Sequence, residues 1–366
     1  MDLHNDLRGL SARDLLRDPR VVEGCGPTVR VQGREVAQFC SNDYLGLAGH
    51  PALREAAIRA TSELGVGAGA SRLVSGTTPL HVKLEDRLAR FCGAPAALLF
   101  STGYHANVGA ISALAGAGDV VFSDALNHAS IIDGCRLSRA RVYVYPHSDP
   151  DALEGLLRTH RGRGRALIVT DALFSMDGDP APVRALRSLA DRFEAALYVD
   201  EAHGLGVLGP RGRGLCAAQD VRPDVLMGTL GKAFGVFGAF VAGSADLRTF
   251  LVNRARSFVY STAPPVPVLA AALAAVDLVE AADDRRAALA LHAGTLGSSS
   301  HVYPVILGSA QRTMAASTTL LERGFFVQGI RPPTVPEGTS RLRVSLMATH
   351  DEAQVAGLRS ALAEIL

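Results

Sequence analysis

Lysine is almost missing from this chain. Of 37 Lys plus Arg among 366 residues, only Lys83 and Lys232 are lysines, which leaves 35 arginines. Lysine is among the commonest residues, so a chain of this size ordinarily carries on the order of twenty. A compositional bias toward arginine accounts for the absences but not for the survivors. Arginine stays protonated and serves wherever only charge is needed; lysine can lose its proton and attack a carbonyl. Paired cysteines are missing too. Cys25, Cys40, Cys92, Cys135 and Cys216 are scattered, with no C-x-x-C pair. That excludes a disulfide-stapled fold and a zinc knuckle, and predicts no metal site and reduced core thiols in a cytoplasmic protein. Neither sign of charge dominates: the formal net charge is +1 and the pI about 7.8. A global basic field for nucleic acid and an acidic tail are thereby excluded. Long apolar runs are lacking as well. The longest uncharged one, Ala263 to Val276, contains three prolines and falls short of the ~20 residues of a membrane span. The polar, acidic start Met1-Asp2-Leu3-His4-Asn5-Asp6 is not expected to act as a secretory signal.

What is present is a globular composition. Hydrophobic residues make up 48% of the chain, far above a disordered composition, and the length predicts two domains or one large and one small. Residues 1–45 read as an arm that contains a hairpin, Thr28 to Val31 and Glu35 to Phe39 about Gln32-Gly33-Arg34. Helix patterns run from Pro51 to Leu64 and from Pro79 to Phe91. Apolar runs then alternate with helical stretches: strands at Ala96 to Phe100, Asp119 to Phe122, Arg141 to Tyr145, Ala166 to Thr170, Ala196 to Val199, Asp224 to Thr229 and Gly238 to Val241. Such alternation predicts an α/β fold with a large, mainly parallel sheet covered on both faces. Active residues should lie beyond the carboxyl ends of its strands. The division expected is an arm (1–45), a large domain (46–278) and a smaller C-terminal α+β domain (279–366), with strands at Val302 to Leu307, Phe325 to Val327 and Leu342 to Leu346.

Two motifs mislead. Gly204-Leu205-Gly206-Val207-Leu208-Gly209 spells a dinucleotide fingerprint, but Pro210-Arg211-Gly212 cannot open the helix such a site needs. Asp200-Glu201-Ala202-His203 spells the DEAH box of a nucleic-acid motor, yet no G-x-x-x-x-G-K-[ST] loop precedes it. Lys232 makes better sense of the same region. In Thr229-Leu230-Gly231-Lys232-Ala233-Phe234-Gly235 it stands in a Gly-flanked turn after a strand, with room for a planar cofactor beside its amine.

Pyridoxal 5'-phosphate needs further supports, and they occur in order along the sheet. An acid must hold the pyridine nitrogen protonated so that the ring acts as an electron sink; Asp200 ends a strand. His203, three residues on, can reach the ring oxygen. Phosphate wants small residues leading into a helix N-terminus, as at Ser101-Thr102-Gly103-Tyr104 with the amides of Gly103 and Tyr104. A flat side chain should stack on the ring, and His128 stands just past a strand.

The segments Ser41 to Leu47, Ser71 to Thr77, Asn127-His128-Ala129-Ser130, Phe174 to Asp179, Val199 to Gly204, Thr229 to Gly235 and Tyr260-Ser261-Thr262 resemble, in order, the signatures of the α-oxoamine synthases, a family of fold-type-I pyridoxal-phosphate enzymes. The likeness spans nearly the whole chain. It implies that Lys232 carries the cofactor and serves as acid and base at the substrate Cα. It implies Asp200 at the pyridine nitrogen, His203 and Ser175 at the ring oxygen, and His128 against the ring and the substrate. Gly103, Tyr104 and Thr229 would hold the phosphate, with Thr262 supplied by a second subunit of a homodimer. Asn42 and Arg331 would bind the amino-acid carboxylate, Thr334 would lie near the substrate, and Arg17 or Arg13 would contribute from the arm. Arg331-Pro332-Pro333-Thr334 resembles the branch of the family that serves biotin synthesis. That branch condenses L-alanine with a pimeloyl thioester of coenzyme A or acyl-carrier protein and releases CO2; its sisters use glycine or serine. The arm and the stretch from Ala288 to Ser300 are shorter than the resemblance leads one to expect.

Overall fold

The computed structural model describes residues 1–365. The chain forms two compact units, one of Leu47–Phe174 with Asp179–Asp283, the other of Met1–Gly46, Ser175–Gly178 and the residues from Asp284 onward.

The larger unit is built on seven strands: β1 (Ala96–Phe100), β2 (Val120–Asp124), β3 (Arg141–Tyr145), β4 (Ala166–Asp171), β5 (Ala196–Asp200), β6 (Val225–Thr229) and β7 (Ala239–Gly243). Their order across the sheet is β1-β7-β6-β5-β4-β2-β3. β2 to β6 pair in parallel; β7 runs antiparallel to both neighbours. The strands read as unbroken apolar runs because both faces are covered. Phe122, Ile168, Leu197 and Val199 pack on one face with Leu153, Leu157 and Leu186. Val121, Leu167, Val169 and Tyr198 pack on the other with Ala110, Ile111 and Ile131. Side chains alternate between the two layers at period two.

Local chemistry starts and stops the helices near where the sequence predicts. Proline occupies the first turn of Pro51–Leu64, Pro79–Cys92 and Pro150–His160, where its missing N–H is not needed. Gly93, in a left-handed conformation at φ 66°, ends the second of these. Three local differences emerge. β2 runs two residues further than expected and so carries Asp124 at its carboxyl end. His128 is the cap of Ala129–Ser138 and not part of the helix, its ring accepting from Ser130 N at 3.3 Å. Residues 72–76, within one of the signature segments, form a single π-turn.

The smaller unit holds two sheets. Strands Val302–Gly308, Ser340–Ser345 and Gln328–Ile330 pair antiparallel in that order. The hairpin Thr28–Val31 and Arg34–Gln38 takes Phe325–Phe326 in parallel along its edge. The apolar run read as one strand from Phe325 to Val327 thus divides, on either side of Val327, between the two sheets. All five cysteines are free. Cys135 and Cys216 are core thiols as expected, whereas Cys25 is exposed, in the turn before Thr28.

Candidate active site

A cavity of about 170 Å³ lies at the carboxyl ends of β4, β5 and β6. Its walls bring together Gly103, Tyr104, His128, Asp200, His203, Thr229 and Lys232. The doubly wound architecture places loops from separate strands at one crevice, which is why residues far apart in sequence meet there.

Lys232 follows β6 in a turn closed by Gly235 N donating to Lys232 O at 2.8 Å and Val236 N to Leu230 O at 2.9 Å. Gly235 has φ 66°, and a Cβ there would meet the Ala48 backbone nitrogen at 2.4 Å; only glycine fits. The Lys232 amine lies 2.6 Å from His203 Nε2. His203 is turned back toward β6 by the turn after β5, where Gly204 N and Leu205 N donate to Glu201 O. Glu201 itself is buried and accepts from Leu215 N at 3.0 Å and Cys216 N at 2.7 Å. Burial pushes its carboxyl up, and those amides oppose the shift. Glu201 therefore ties down the loop that carries the misleading glycine motif and takes no part in the cavity.

Asp200, 3% exposed, accepts from Ala202 N at 2.9 Å and Asn107 Nδ2 at 2.7 Å. Among the described residues it has no cationic partner within ion-pair distance. A buried carboxylate so placed favours a ligand that presents a proton. Gly103 and Tyr104 head the helix Gly103–Leu114, where an α-helix has no internal acceptor for its first amides. Thr102 caps the third amide, His105 N, at 3.1 Å. Thr229 Oγ1 donates to Gly238 O at 3.1 Å and accepts from Gly231 N at 3.2 Å. Desolvation pulls the pKa of His128 below its ordinary value although the residue is exposed; Asp200 opposes the shift and Lys232 adds to it.

Three polar lining residues are given no role by the sequence alone: Asn107, Ser130 and Asp171. Asp171 faces Asp200 in register on adjacent strands. Burial and that neighbouring carboxylate push it well above the usual carboxylate range, while the His128 N–H, donated at 2.7 Å, opposes the shift. A shared pattern could have flagged it, because β2, β4 and β5 each end an apolar run in aspartate. Asn107 stands one helical turn after Gly103 and so shares its face.

Thr262 is not among the lining residues; it forms an isolated bridge with Ser71. Arg17, Asn42, Ser175, Arg331 and Thr334 belong to the smaller unit. There Arg17 Nη2 donates to Thr334 Oγ1 at 3.2 Å and to the carbonyls of Arg331 and Pro332. Arg13 folds back onto Gly9 O at 3.1 Å. Arg331, 6% exposed, donates to Leu16 O, and its Nε is buried without an acceptor. Burial and the Arg17 charge lower its pKa, Asp14 opposing. Asn42 Oδ1 accepts from Arg343 Nη1 at 3.0 Å and Tyr44 OH at 3.1 Å, so its amide nitrogen is left to donate. Arg343 also donates to the Ser175 carbonyl, and Arg341 pairs with Asp177.

A lysine, a buried acid, two imidazoles and a helix N-terminus at the strand ends of such a sheet define an aminotransferase-like enzyme of fold type I. The family profile described as Aminotransferase class I and II matches residues 34–362. At 54% identity the chain is similar to the 8-amino-7-oxononanoate synthases of Geobacter sulfurreducens (98% of this chain, 96% of that one) and Anaeromyxobacter dehalogenans strain 2CP-1 (99% and 94%). Among solved structures, the Sphingomonas wittichii serine palmitoyltransferase superposes with TM-score 0.93 at 31% identity over 100% of this chain and 96% of that one. The 8-amino-7-oxononanoate synthase of Francisella tularensis does so with TM-score 0.77 at 29% identity over 90% and 96%. The chain belongs to the class I and II aminotransferase family and, within it, to the 8-amino-7-oxononanoate synthases.

Proposed function

We propose that the chain condenses L-alanine with a pimeloyl thioester of coenzyme A or acyl-carrier protein and decarboxylates the product to 8-amino-7-oxononanoate, a step toward biotin. It works in the cytoplasm as a homodimer. The observation that carries this reading is the convergence of Lys232, Asp200, His203 and His128 on one cavity beside the amides of Gly103 and Tyr104.

That donor set fits pyridoxal 5'-phosphate. Lys232 would hold it covalently, Asp200 would keep a proton on its ring nitrogen, and His203 with Ser175 would bond its ring oxygen. His128 would cover the ring, and Gly103, Tyr104 and Thr229 would bind its phosphate. When bound, the cofactor supplies an electron sink next to the amino-acid Cα. Arg331 and Asn42 hold the alanine carboxylate: the fork of Arg331 lacks an acid partner among the described residues, and a carboxylate would satisfy it. Arg17 and Thr334 bound the same substrate region. The Lys232 amine takes the Cα proton. That carbon bonds to the thioester carbonyl carbon as the C–S bond breaks, and the thiol carrier leaves with a proton from solvent. The carboxylate then departs as CO2, and Lys232 returns a proton to Cα.

The homodimer reading rests on exposed apolar side chains around Thr262. Val74 is 80% exposed and Tyr260 72%. The Ser71–Thr262 bridge draws their two segments together, and Arg72 lies over Phe258. Such a patch marks a protein interface, and a subunit seated there would receive Thr262.

The test is product formation by the cofactor-loaded enzyme with alanine, glycine or serine, each offered with pimeloyl-CoA and, separately, with a long-chain acyl-CoA. Alanine is expected to give 8-amino-7-oxononanoate and CO2. Preference for serine with a long acyl-CoA would favour the serine palmitoyltransferase-like reading that the structural neighbours suggest. A protein that binds no visible chromophore would sink both.

A further inference from the structure

One hydrogen-bonded chain joins Asp200 to His128. Tyr198 OH donates to Asn107 Oδ1 at 2.8 Å. The amide nitrogen of Asn107, a fully buried residue, donates to Asp200 Oδ2 at 2.7 Å and Ser130 Oγ at 2.9 Å. The carboxylate fixes this orientation, because a flipped amide would set oxygen against oxygen. Ser130 Oγ accepts from Asn107, so its own proton is free to go to His128 Nδ1, 2.7 Å away. The Ser130 backbone N–H points to the same nitrogen at 3.3 Å. An Nδ1 that receives two donors must offer a lone pair.

We infer that Tyr198, Asn107 and Ser130 form a relay that holds His128 as the neutral imidazole with its proton on Nε2. Asn107 and Ser130 are thus positioning residues, and the relay couples the acid expected at the ring nitrogen to the imidazole expected on the ring face. The charged and titratable groups that line the cavity with His128 are Asp200, Lys232, His203, Tyr104 and Asp171, the last accepting its backbone N–H. Their combined effect with desolvation also favours the neutral ring. A donor N–H fixed in advance would meet a carbonyl oxygen of the substrate as negative charge develops there, without reorganisation at the moment of reaction. That last step rests on the function proposed above; the tautomer does not.

The test is a long-range 15N–1H spectrum of 15N-histidine-labelled protein, cofactor-free and loaded, with His128→Gln to assign the resonance. Wild type is expected to show an unprotonated Nδ1 and a protonated Nε2 from pH 6 to 8. In Ser130→Ala the lost donor should raise the titration midpoint of His128 by roughly half to one pH unit. The acid limb of the kcat/KM profile should rise with it, and Tyr198→Phe should act in the same direction and less. A proton on Nδ1 in wild type, or a midpoint unmoved in Ser130→Ala, would overturn the relay. Should Ser130→Ala not fold, the wild-type tautomer and Tyr198→Phe still decide. An active enzyme with the wrong tautomer refutes the relay alone; the right tautomer in a protein that makes no amino ketone refutes the function alone.

Discussion

Lys232 and Lys83 show what a residue's surroundings add to its chemistry. Lys83 is exposed on the helix Pro79–Cys92, whose inner side buries Leu84 and Leu88. Lys83→Arg should leave turnover and stability unchanged, since charge is all that position supplies. Lys232→Arg should abolish covalent cofactor capture and lower turnover by roughly 10²–10⁴-fold or more. Borohydride treatment followed by mass measurement checks it; a cofactor still trapped in Lys232→Ala would remove this lysine from its proposed role. Glu85 presents a structural counterpart. Its carboxylate, 3% exposed, takes Arg72 at 2.9 Å, Leu99 N at 3.0 Å and Arg248 at 3.1 Å. Glu85→Ala strands Arg72 as a buried unpaired cation and should cost about 3–5 kcal/mol, read as a lower urea midpoint. At this scale the sequence is informative where chemistry demands a residue type. A Schiff-base-forming amine must be lysine, and a ring-nitrogen partner must be an acid. Asn107 and Ser130 gave no such signal, because amides and hydroxyls are common: Asn107 finds Tyr198 and Asp200 91 and 93 residues away, and Ser130 finds Asn107 across 23.

At the scale of elements, the turn after β6 and the end of β2 each depend on one device. Gly235→Ala must force a side chain into left-handed backbone and onto Ala48. It should cost at least about 1 kcal/mol and reduce the cofactor content of the purified protein, measured by its visible absorbance. The end of β2 is held by His147, which bridges Asp124 at 2.9 Å and Asp179 at 2.8 Å while Asp124 also accepts from Leu126 N and Ser148 N. Burial pulls the His147 pKa down, but the two carboxylates outweigh it and raise it above the ordinary value. A raised folded-state pKa stabilises fully below the unfolded value of about 6.5 and is lost as pH climbs through the higher one. Stability should therefore fall as pH rises above about 6.5, and His147→Gln should flatten that slope in urea titrations at several pH values. Element positions were legible because proline, glycine and unbroken apolar runs mark them locally. The direction and place of β7 were not: Gly238 to Val241 reads as a strand, but its insertion between β1 and β6 depends on partners far away.

Across the whole molecule, the exposed side chains of Leu73, Val74 and Tyr260 form the surface proposed for self-association. Val74→Asp should shift it toward monomer in sedimentation velocity and lower its cofactor content together, since Thr262 would no longer be shared; a stable dimer with full content would count against the shared site. Long-range pairing is where a single sequence says least. The hairpin Thr28–Val31 and Arg34–Gln38 signals itself through its turn, but nothing in it announces that Phe325–Phe326 will lie alongside. The same kind of pairing governs the phosphate loop. β1, the strand that leads into Gly103, stands at the sheet edge and pairs within the sheet with β7 alone among the described residues, and β7 emerges from the ribosome long after it. Closing so long a loop is slow relative to local helix formation. Until residue 243 has been made, the loop at Gly103 has no sheet to brace it. Cofactor capture therefore acts as a late reporter of biogenesis: in refolding, the visible chromophore should return after the helical signal, and chains stalled before β7 should accumulate without it.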